Sequence, residues 1–167
     1  MLKRGIVMAG LVIALSTQAL ANEDEALVSF KVMTLETAQE LAQATLDDCR
    51  KRGYQVAVSV VDRSGVLQVT LRDRFAGAHT PETARRKAWT SVSFRTDTLP
   101  MVEETQHGRL QAGARHVTDA LMVGGGVLVR AAGSIVGGVG VSGAPGGDLD
   151  DACARVGIEA IADKLEF

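Results

Sequence analysis

Aromatic side chains are scarce in this chain: Trp89, Tyr54 and four phenylalanines amount to 4% of 167 residues. The core must therefore be built from Val, Leu, Ile and Ala, close-packed with glycine, of which there are 18. Basic charge is not in excess, since 18 Lys and Arg stand against 20 Asp and Glu for a formal net charge of −2. That balance leaves no electrostatic footprint for nucleic acid. Past the first two dozen residues no run is apolar enough to span a bilayer, which takes about 20 residues. His79, His107 and His116 share no helical spacing, and neither H-E-x-x-H nor C-x-x-C occurs, which excludes those metal sites. G-x-S-x-G is missing as well, so hydrolytic catalysis has no visible machinery.

What is present begins with "MLKRGIVMAGLVIALSTQALANEDE". Lys3 and Arg4, an apolar run over 6–15 and Ala19-Leu20-Ala21 are the n-region, h-region and cleavage site of a secretory signal. A membrane anchor is the alternative, but the run is too short to span. Cleavage after Ala21 would leave 146 residues and, with Lys3 and Arg4 gone, a charge of −4. The expectation is a periplasmic or secreted protein organised as signal peptide 1–21, lead-in 22–33 and one domain over 34–167.

Thr34 can cap a helix running to Gly53, with Glu36 in its first turn and Arg50, Lys51 and Arg52 in its last. Leu35, Ala38, Leu41, Ala42, Thr45, Leu46 and Cys49 form its buried stripe. "QVAVSVV", "DRSG" and "VLQVTLR" read as strand, turn and strand. A loop then leads to a helix with Thr80 as cap and Pro81 in first position. The spacing predicts another helix from Met101 to about Ala114, a loop at "MVGGG", a second hairpin through "VLVR", "AAGS" and "IVGGVGVS", and a closing helix over "DLDDACARVGIEAIADKL". The last helix would bury Leu149, Ala152, Cys153, Val156, Ala160, Ile161 and Leu165. The fold class is α+β, an antiparallel β-sheet flanked by α-helices in a single compact domain.

Residues 138–143, "GVGVSG", match the dinucleotide fingerprint G-x-G-x-x-G letter for letter. That loop works only inside a βαβ unit. Here the strand arrives from an antiparallel neighbour, and only 24 residues follow Gly143, too few for a second parallel strand. Glycines within a strand instead let another backbone or a ligand come close. Cys49 and Cys153 each lie on a helical stripe, one early and one late. In an oxidising compartment they either form a disulfide or remain two buried thiols acting as small hydrophobes.

Taken in order, "VSVVDRSG", "ARRKAW", "GGGVLVRAAGSIVGGVGVSG" and "LDDACARVGIEAI" resemble the GlcG/HbpS family of heme-binding, also termed heme-degrading, domains. The resemblance runs from about Met33 to the C-terminus. It implies an antiparallel sheet flanked by helices, assembly into homo-oligomers such as octamers, and heme as cofactor. By motif position, Asp62 and Gly65 match the turn of V-V-D-x-x-G, Lys87 the lysine of A-x-x-K-A, Gly125 and Gly126 the glycine pair before the late hairpin, and Asp150 the acid opening the last helix.

Heme needs an apolar slot, one or two iron ligands and cations for its propionates. His79 is the candidate iron ligand, because it falls between Phe75 and the start of a helix carrying Arg85, Arg86 and Lys87. The alternative is an exposed loop histidine beside a cap. His107, His116, Met101, Met122 and Tyr54 complete the ligand candidates, with His107 reading equally as a surface residue near a helix end. Arg72, Arg74, Arg85, Arg86 and Lys87 can clamp carboxylates or simply be solvated. The cofactor-binding set is His79, Lys87, Phe75, His107 and Gly125, with no catalytic residue. The leading expectation is a carrier, scavenger or redox-stress accessory for heme rather than an enzyme. A small organic acid held by Lys87 and an arginine in the same pocket, and a ligand-free oligomeric interaction protein, are the alternatives.

Overall fold

The computed structural model describes residues 27–166, and residues from Lys31 onward form one compact unit. The signal segment 1–21 and lead-in residues 22–26 lie outside the described residues. Helix α1 (Leu35–Lys51) starts at Thr34, whose hydroxyl accepts from the Thr37 amide, and buries Ala38, Leu41, Ala42, Thr45, Leu46 and Cys49. Strands β1 (Ala57–Asp62) and β2 (Leu67–Arg72) form the first hairpin, and β3 (Gly126–Ala131) and β4 (Ser134–Ser142) the second. Between them run α2 (Thr80–Phe94), α3 (Thr98–Glu104) and a 3₁₀ turn at Ala112–His116. Helix α4 (Gly147–Glu159) and a 3₁₀ turn at Ala162–Lys164 follow.

The strands pair antiparallel throughout in the order β2-β1-β4-β3. A dinucleotide fold needs a parallel crossover; no parallel pair exists among the described residues, and the glycines of "GVGVSG" lie within and just past β4.

Alternation sends the two faces of the sheet to different partners. Val58, Val60, Val127, Val129, Val139 and Val141 pack against α1 and α4 in the larger core. Val61 and Leu128, on the opposite face, meet Ala88 and Val92 of α2. Glycines on this second face let α2 come down onto the sheet. A Cβ at Gly140 would collide with the Ala84 carbonyl, and one at Gly126 with the Lys87 carbonyl. A Cβ at Gly138 would stand 2.8 Å from the Ser91 hydroxyl.

Three local expectations change. His79, not Thr80, is the N-cap position of α2, and the Thr80 hydroxyl donates backward to the Gly77 carbonyl at 2.7 Å. The helix expected over 101–114 is instead the seven-residue α3, followed by turns in which Gly108 takes a positive φ of 84° and Leu110 is 96% exposed. The closing helix ends at Glu159; of the expected stripe Cys153 and, past the helix, Ile161 are fully buried, but Leu149, Ala152 and Val156 are half-buried and Ala160 exposed, while Asp150, Asp151, Ala154 and Gly157 are buried instead. Two observations explain that rotation. Gly157 lies directly against Thr45 of α1, and both aspartates are paired, Asp150 with the buried Lys87 and Asp151 with Arg155 one turn further along the same helix.

Candidate functional site

Helix α2 and β4 meet at the end of the sheet where β3 begins. There a cleft of about 610 Å³ is lined by the start of α2, the loop before it, Tyr54 and the 142–147 segment leading into α4. Its floor is an ion pair. Lys87 reaches from α2 past the end of the strands, and its Nζ donates to Asp150 Oδ2 at 2.7 Å and to the Val141 carbonyl at 2.8 Å. Lys87 is 2% exposed and Asp150 3%, so neither charge can rely on water. Asp150 uses its other oxygen to accept from the Ala144 amide at 3.0 Å, which ties the 142–147 loop to the pair. Burial raises the Asp150 pKa, against the opposing charge and hydrogen bond of Lys87.

Gly125 makes room for this contact. At φ 108° it adopts a conformation suited to glycine, and a Cβ would lie 2.6 Å from Asp150 Cβ and 3.1 Å from Lys87 Nζ. Helices on opposite faces of the sheet are thereby joined through one buried salt bridge.

The wall is different in character. Phe75 is 79% exposed, and His79 is exposed beside it, its ring folded against Gly77, where a Cβ would lie 2.7 Å from Cε1. Thr80 and Thr83 continue this wall along the first turn of α2, the Thr83 hydroxyl donating to the His79 carbonyl at 3.0 Å. The cleft thus pairs an exposed aromatic ring and an imidazole with a sealed ionic floor.

His79, Phe75 and Lys87 all line the cleft, and Gly125 packs beneath it. His107 does not belong to this lining and stands exposed in the turn after α3. Of the other basic candidates, Arg74 stands exposed in the loop before α2 and three are committed elsewhere. Arg85 pairs with Glu82 and Asp119, Arg86 donates to the Asp119 and Ala120 carbonyls, and Arg72 donates to the Ala76 carbonyl. Asp62 accepts from the Ser64 and Val66 amides, holding the β1–β2 turn. The role of Asp150 as Lys87's partner, and of the 142–147 loop as a cleft wall, were not read from the sequence. Their signal was an aspartate on the inward face of a helix, which needs a buried cation.

Fold and cleft together define a small α+β domain with an open cleft at the N-terminus of α2. Residues 33–159 match the family described as haem degrading protein HbpS-like, and the chain belongs to that family. The crystal structure of HbpS is similar at 38% identity and a TM-score of 0.76, over 81% of this chain and 94% of that one. The Klebsiella pneumoniae protein ORFY aligns at 25% identity and a TM-score of 0.79, over 83% and 96%. A PduOC:heme complex aligns at 28% identity and a TM-score of 0.73, over 78% and 96%. The corrinoid adenosyltransferase PduO of Salmonella typhimurium is 32% identical over 106 residues, 62% of this chain. The chain spans about a third of the length of the curated relatives it matches.

Proposed function

We propose that this protein binds heme in the cleft at the start of α2 and serves outside the cytoplasm as a heme carrier, scavenger or redox-stress accessory, assembled as a homo-oligomer. The observation that carries the reading is the joint exposure of Phe75 and His79 on the wall of a 610 Å³ cleft. A large aromatic ring left in water beside a concave surface marks a place where an apolar ligand is covered. The volume suits a ligand of porphyrin size, within the roughly 300–1,000 Å³ of small-molecule pockets. The neighbouring PduOC was crystallised with heme, which supports the same ligand class here.

The residues that would hold the group are His79, as nitrogen donor to iron, and Phe75, Thr80 and Thr83 along its face. Bound heme would supply a redox-active iron centre. Lys87 has a different task. Its ammonium is already held by Asp150 and the Val141 carbonyl, so it fixes the floor and the 142–147 loop. The same commitment weakens the organic-acid alternative, which asked Lys87 to clamp a carboxylate.

Titration of hemin into the protein, followed by its visible spectrum, tests the reading. Saturable, stoichiometric binding with a shifted Soret band is expected, with affinity falling at least tenfold in His79→Ala. Nonsaturating changes of equal size in both proteins would sink it.

A further inference from the structure

A second pocket lies at the other end of α2, about 22 Å away along a 15-residue helix. It has a volume of about 380 Å³, and its lining is Arg63 from the β1–β2 turn, Val92 and Arg95 at the C-terminus of α2, and Arg130, Gly133, Ser134 and Ile135 from the second hairpin. Arginines from three separate elements therefore border one concavity, and no carboxylate is found among the described residues of its lining. Arg95 and Arg130 have no side-chain partner among the described residues.

Among the described residues, an acid near Arg130 is already engaged. Asp97, in the neighbouring groove that Arg130 also borders, accepts from the Leu128 amide and from Arg155. Backbone irregularities bring the arginines to this spot. Arg130 follows a register shift in the β3–β4 ladder, the kind of bulge that re-aims a side chain. Arg95 takes a left-handed conformation at φ 57°, ψ 32°, which is uncommon for a residue with a side chain. A helix C-terminus favours one cation. It does not account for a second unpaired cation, Arg130, arriving from β3.

We propose that Arg95 and Arg130, in the concavity that Arg63 also borders, form a binding site for a small phosphoryl-bearing anion. A carboxylate offers two oxygens and satisfies one guanidinium fork, whereas a phosphoryl group presents three oxygens to donors from several directions. The Ser134 hydroxyl adds a neutral donor, and Val92 and Ile135 supply little apolar enclosure. The charge of the ligand, rather than an apolar body, is what the pocket recognises.

The test is isothermal titration calorimetry with pyrophosphate at fixed ionic strength, repeated with citrate as a polycarboxylate of comparable charge. Saturable binding of one pyrophosphate per chain is expected, weakened at least tenfold in Arg95→Gln and in Arg130→Gln and unchanged in His79→Ala. Citrate should bind at least tenfold more weakly. Both arginines are exposed, so the variants should keep the wild-type circular dichroism and melting temperature. Absence of saturable heat, equal affinity in the arginine variants, or tighter binding of citrate would each overturn the assignment.

Discussion

Lys87 and Asp150 show how much one pair of residues can decide. Isolated, each would carry a large desolvation cost at this depth; together they close the floor of the cleft and hold Ala144. Because burial raises the Asp150 pKa above its ordinary 3.8, the folded state keeps a proton over a pH range where the unfolded chain has released it. That contribution to stability is present in full below the ordinary value and is lost as pH rises through the folded one. Unfolding free energies from urea titrations of wild type and Asp150→Asn should therefore differ in a pH-dependent way, the wild-type advantage shrinking as pH rises from about 4. A wild-type advantage that grows with pH would show the sign to be wrong. Removing the cation instead leaves a buried carboxylate without its partner, and Lys87→Ala should cost about 3–5 kcal/mol by the same urea measurement. An effect below about 1 kcal/mol would place the lysine in water, outside the buried-pair regime.

At the scale of elements, the close seat of α2 on β3 and β4 positions both ends of the helix, and so both pockets. Gly140 is where that seat is tightest, against the Ala84 carbonyl and 2.7 Å from the Ala88 amide nitrogen. Gly140→Ala should therefore destabilise by about 1–3 kcal/mol or more through overpacking. Gly113→Ala, which meets nothing within 4 Å, should leave the urea midpoint within about 0.5 kcal/mol of wild type. Equal midpoints in the two variants would contradict the packing described. Period-two alternation in "QVAVSVV" and "IVGGVGVS" made the hairpins legible, and the cap at Thr34 fixed the start of α1. The inward side of α4 was not legible by the same rule. Its buried positions include two aspartates and a glycine, and a hydrophobic pattern cannot register residues buried for ion pairing or close helix contact. Likewise His79 and Phe75 could be brought near each other by sequence spacing alone, whereas the far wall of the cleft comes from 142–147, more than 60 residues away.

For the molecule as a whole, α1 and α4 are joined by a disulfide between Cys49 and Cys153, 104 positions apart in the sequence and with a Cα–Cα distance of 5.5 Å. The sequence left open whether these cysteines would pair; the structure brings both onto one face of the sheet, fully buried. Closing so long a loop stabilises the fold by up to about 4–5 kcal/mol in the chain-entropy view. Denatured, unreduced protein should titrate with no free thiol, and reduction should lower the melting temperature; two free thiols per chain would contradict the pairing. The bond fastens the face opposite α2, so the cleft and the arginine pocket are built on a sheet braced from behind. NMR amide spectra recorded while paramagnetic hemin is added would map the proposed heme site directly. Broadening should centre on Tyr54, Phe75, His79, Thr83 and the 142–147 loop. Broadening centred on His107 and His116, or on Arg95 and Arg130, with the α2 N-terminus unaffected, would contradict it.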